Sequence, residues 1–91
     1  MSDIDATLDE RGARYGTFIG HACISQELKR TITKYIEARQ CVLTHDQAEA
    51  IDMICHTLAR IINGDPNYAD SWVDIAGYAK LVADRLQGIK R

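Results

Sequence analysis

Apolar residues recur along this chain at intervals of three and four, the spacing that stacks side chains on one side of an α-helix. Ile24, Leu28, Ile32, Tyr35 and Ile36 follow at i, i+4, i+8, i+11 and i+12, and predict a long helix over about residues 19–39. Ile51, Ile54, Leu58, Ile61 and Ile62 share one broad face of a second helix that Thr44 opens and that runs to about Ile62. Thr44 and Gln47 make a T-x-x-Q capping box at its start. Asn63-Gly64 ends it, and Pro66 prevents continuation. A third helix, from about Tyr68 or Asp70 to Leu86, carries Trp72, Ile75, Ala76, Ala79, Val82, Ala83 and Leu86 on its predicted core face. Trp72 is the expected core anchor. Ser2 can cap a short N-terminal helix over about Ile4–Glu10, with Asp5 completing a capping box. The two glycines of Arg11-Gly12-Ala13-Arg14-Tyr15-Gly16 predict a loop or bend. No segment alternates with period two. The expected fold is all-α: a single helical domain over residues 1–91, with three longer helices bundled beside a short N-terminal one.

The remaining faces of these helices are mixed. On the second helix His45, Glu49, Asp52, His56 and Arg60 line up opposite the apolar face. On the last helix Asp70, Asp74, Tyr78, Leu81 and Arg85 do the same. Tyr78 and Leu81 give that second face an apolar content, and a chain of 91 residues encloses only a thin core. Both features lead to the expectation of a homo-oligomer.

Composition narrows the function classes. The formal net charge is -2 and the sequence pI is about 5.8, which argues against nucleic acid as a partner, since that needs a clustered basic face. With 46% hydrophobic and 26% charged residues, the chain reads as globular. No apolar run reaches the roughly 20 residues that span a bilayer, and no secretory leader pattern opens the chain, so no membrane is expected and the expected place is the cytoplasm. Cys23, Cys41 and Cys55 are odd in number and lack C-x-x-C spacing, which reads as buried, reduced thiols.

The acidic residues carry the most specific chemistry. Asp70 and Asp74 lie one helical turn apart, and Glu49 and Asp52 stand at i, i+3 on the preceding helix. Carboxylates from two facing helices can hold Mg²⁺, which prefers oxygen ligands in octahedral geometry and keeps several waters. The same stripe also reads as the wet side of an amphipathic helix. Arg11 and Arg14 flank a glycine, where they can grip a phosphate near a helix end or pair with surface carboxylates.

RGARYG near the start, together with ARIINGDPNYADSWVDIAGYAKL, resembles a family of short phage and prophage proteins of unknown function. That family is in turn similar to the MazG-like all-α nucleoside triphosphate pyrophosphohydrolases, where one helix carries E-E-x-x-E and a later one E-x-x-D. Here Ala48-Glu49-Ala50-Ile51-Asp52 falls at the first motif and Ser71-Trp72-Val73-Asp74 at the second, with Tyr78 four residues on. Ala48 and Ser71 replace two acids, and Asp70 stands one position early, rotated by about 100°.

The resemblance implies a Mg²⁺-dependent hydrolase acting between the α- and β-phosphates of a nucleotide. Glu49, Asp52 and Asp74 would hold the metal, Asp70 would support it, and Arg60 or Lys80 would meet phosphate. A degenerate relative would bind the nucleotide without turnover. The other class is a non-catalytic helical oligomer that serves as a protein-interaction module, with the acidic stripe as plain surface.

Overall fold

The computed structural model describes residues 3–91. Among these are four helices and no strand: α1 over Asp3–Tyr15, α2 over Phe18–Ala38, α3 over His45–Asn63 and α4 over Ala69–Leu86. The proposed Ser2 cap lies outside the described residues.

The three longer helices start and stop close to where the sequence places them. Thr44 opens α3, and its backbone N–H donates to Gln47 Oε1 at 3.0 Å, the Gln half of the capping box. Thr17 caps α2 by accepting from the Gly20 N–H at 3.2 Å. At the far end of α2 Gln40 takes φ 51, the left-handed position usually given to glycine. Cys41 N–H then reaches back to the Ile36 carbonyl at 2.9 Å.

The N-terminal segment differs from expectation. Arg11 to Tyr15 is not a loop; α1 runs through it without interruption. Gly12 is exposed with open space around its Cα, and one helical glycine costs only about 1 kcal/mol. The break comes at Gly16, whose φ is 78 and whose N–H closes on the Gly12 carbonyl at 2.9 Å.

Helix α3 is the centre of the fold. Helices α2 and α4 both pack on it and do not approach each other, so the three make an open layer. The hydrophobic residues buried outright are Ala50, Cys55, Ala59 and Ile61, all on α3. Small or short polar side chains on the neighbours, Ser25 on α2 and Ser71 on α4, are buried too. A bidentate ion pair closes one end: Arg85 donates to both Asp46 oxygens, each at 2.8 Å, and to Thr44 Oγ1 at 2.8 Å.

Three expectations about burial need correction. Trp72 is not a buried anchor; it is 54% exposed, and its indole N–H donates to the Pro66 carbonyl at 2.9 Å. Helix α4 meets α3 through Ser71, Ile75, Tyr78 and Val82, which are buried or half-buried. Tyr78 therefore belongs to the packed side rather than opposite it. The Trp72 side stays open because α2 packs on α3 without approaching α4. The cysteines are free thiols, but only Cys55 is buried; Cys23 and Cys41 are exposed. Burial, followed by the Asp52 charge, pushes the Cys55 thiol up.

Candidate functional site

The two segments that stand out in the sequence, RGARYG and NGDPNY, meet in space as a clasp. Asn63, the last residue of α3, donates its side-chain amide to the carbonyls of Tyr15 and Thr17, each at 2.8 Å. Asp65 N–H donates to the Arg14 carbonyl at 2.9 Å. The Arg14 guanidinium lies 4.4 Å from the centre of the Tyr68 ring, and the Tyr15 and Tyr68 rings meet edge to face at 6.1 Å. Gly16 and Gly64 make the close approach possible. A Cβ on Gly16 would collide with the Asn63 carbonyl, and one on Gly64 with the Arg14 and Tyr15 backbone.

The clasp holds α1 against the α2–α3 junction, beside a half-open cavity of about 480 Å³. Its walls are Leu8, Arg11, Gly12, Tyr15 and Gly16 from the first segment, Phe18 and His21 from α2, and His56 and Arg60 from α3. The volume suits a small organic ligand. Arg60 stands 4.4 Å from the Tyr15 ring centre. Among the described residues neither Arg11 nor Arg60 forms an ion pair with a carboxylate.

Two histidines form the floor. His21 Nε2 and His56 Nδ1 face each other at 3.2 Å, with the rings edge to face at 4.5 Å. A single hydrogen lies between them, so one ring donates and the other accepts. His21 is 6% exposed, and its Nδ1 has no hydrogen-bond partner. A bare acceptor there costs less than an unpaired N–H, which favours the tautomer with His21 Nε2–H donating. His56 then carries its own proton on Nε2. Burial, followed by the Arg60 charge, His21 and Lys29, holds His56 at about 4. Burial, Arg60 and Lys29 also push His21 down. At neutral pH the pair is uncharged, and the arginines supply the positive charge.

The residues marked in the sequence for metal and phosphate have distinct surroundings. Arg11 and Arg60 share the cavity. Arg14 sits beside it, paired with Glu10 at 2.9 Å and stacked on Tyr68. Lys80 is on α4, bound to Asp84 at 3.1 Å. Glu49 lies in a groove between α3 and α4 with Tyr78, Leu81 and Arg85. Asp74 lines another groove with Lys80, Asp84 and Arg91. Asp70 accepts from the Tyr68 hydroxyl at 3.0 Å, and this bond, followed by burial, pushes the Tyr68 phenol up. Asp52 is exposed on α3. Among the described residues no group of three or more His, Cys, Asp and Glu side chains is arranged to hold a metal ion.

His21 carries a sequence signal that the apolar marks alone pass over. It begins the series His21, Ser25, Leu28, Ile32 at i, i+4, i+7 and i+11, the side of α2 that meets α3. No helix among the described residues is long and apolar enough to cross a membrane. No family model, curated protein or solved structure matches the chain.

Proposed function

We propose that the chain is a small-molecule binding protein, and that the clasped cavity takes a phosphate-bearing ligand with a planar ring, of the nucleotide class. The observation that carries this reading is the placement of Arg11 and Arg60, without carboxylate partners among the described residues, around one cavity with the aromatic walls Tyr15 and Phe18. Arginine forks match phosphate oxygens with two parallel hydrogen bonds. A ring can lie against Tyr15 or Phe18, and stacking on an aromatic side chain does not depend on which base is present. The His56 N–H adds a neutral donor. No nucleophile is needed for this role.

Thermal shift measurements test it. Nucleoside monophosphates raise the melting temperature in a saturable way, and the parent nucleosides without phosphate raise it less. Arg60→Ala removes the rise. Equal shifts with and without phosphate, or a full shift with Arg60→Ala, would overturn the reading.

A further inference from the structure

A surface lies on the far side of the layer from the cavity, and the ligand reading does not use it. At 100° per residue the α3 series Ile51, Ile54, Leu58, Ile62 points away from the stripe that bears His56 and Arg60. The α4 residues Trp72, Ala76, Ala79 and Leu86 continue this apolar side, since α4 turns Ser71, Tyr78 and Val82 to α3. Ile62 is 66% exposed and Leu86 60%. No charged side chain interrupts either series.

We propose that this face is the interface between two copies of the chain. The surface area supports a second copy. The chain exposes 6805 Å², whereas a folded monomer of 10.2 kDa exposes about 5,300 Å². The excess of about 1,500 Å² exceeds the ~800 Å² per partner of a standard stable interface. The radius of gyration agrees: 15.3 Å against about 12 Å for a domain of this length. An open layer of three helices lacks the second layer that encloses a core. A two-fold related copy supplies that layer and meets an uncharged face with an uncharged face. The cavity, on the opposite side, remains open in each copy.

Light scattering on the whole chain at about 100 µM tests the proposal. The expected mass is twice 10.2 kDa. Ile62→Glu and Leu86→Glu each place a charge on an exposed position of the face and shift the mass to the monomer, with helical circular dichroism retained. Trp72 fluorescence shifts to the red on dilution of the unaltered chain. A wild-type monomer at this concentration would overturn the proposal. So would a dimer whose mass survives both glutamate substitutions. Neither outcome bears on phosphate binding, which the cavity variants read separately.

Discussion

His21 Nε2 and His56 Nδ1 face one another at 3.2 Å, one from α2 and one from α3. One hydrogen lies between the two nitrogens, and burial together with the Arg60 charge keeps both rings neutral. A proton placed on His56 Nδ1 would remove the acceptor that the His21 Nε2–H meets, and any proton added to the pair is disfavoured by burial and by the nearby Arg60 charge.

A pH dependence of stability follows. In the unfolded chain His56 titrates near 6.5, and in the fold at about 4. Between these values the unfolded chain binds more protons, so the stabilisation is complete above about 6.5 and is lost as pH falls toward 4. His56 accounts for a loss on the order of 2–3 kcal/mol across that window. Asp46 acts in a separate, lower window. The Arg85 fork, followed by the Thr44 hydroxyl, holds it at about 2 against an ordinary 3.8, so its contribution is lost only below that value. Denaturant midpoints at pH 7 and pH 4.5 check the first window, and His56→Gln flattens the dependence there.

Asn63→Ala removes two hydrogen bonds from the clasp and leaves the Tyr15 and Thr17 carbonyls without that donor. The expected cost is about 1–3 kcal/mol, read as a lower urea midpoint. Ligand binding weakens with it, because α1 loses its seat. An unchanged midpoint would show that the clasp does not hold the junction.

Gln40→Gly is expected to stabilise. Gln40 holds a left-handed backbone at φ 51 on the surface, a conformation that favours glycine. The expected gain is about 0.5–1 kcal/mol. Thermal melts of the two proteins side by side decide it.

Trp72→Ala separates the two possible settings of the indole. A Trp buried within one chain costs about 3–5 kcal/mol on truncation. With Trp72 54% exposed in the single chain, the loss in a dilute monomer stays near 1 kcal/mol, since the main polar contact is one hydrogen bond to Pro66. Dimer dissociation, followed by fluorescence-independent light scattering, shifts to concentrations at least tenfold higher.

The helices were legible because their signals are local. Thr44, Gln47 and Asn63-Gly64 mark the ends of α3 to within a residue. The extension of α1 through Gly12 was not, because a single exposed glycine is too small a penalty to end a helix. Periodicity also marked the apolar sides of α3 and α4, but it does not say what covers them, and Trp72 was assigned to a core that the single chain leaves open. The cavity depends on the Asn63 amide reaching carbonyls 46 and 48 positions away, a relation that no local spacing encodes. Arg11 and Arg14 point to phosphate through their chemistry beside a glycine, and Arg60 and Lys80 only through the family resemblance. The Arg14–Glu10 pair is a local i, i+4 contact within α1, the carboxylate pairing that the sequence also allows, whereas the stacking of Arg14 on Tyr68 rests on the tertiary clasp.

The most direct measurement is an amide NMR titration with a nucleoside monophosphate in the presence of EDTA. The cavity is lined by the guanidinium groups of Arg11 and Arg60, so the proposed binding calls on no metal. The expected result is therefore saturable shifts confined to residues 8–21 and 56–60, unaffected by EDTA and weakened roughly tenfold or more in Arg60→Ala. Shifts that vanish with EDTA and centre on Glu49, Asp52 and Asp74, or no shifts at millimolar ligand, would contradict the assignment of the cavity as a phosphate-binding site.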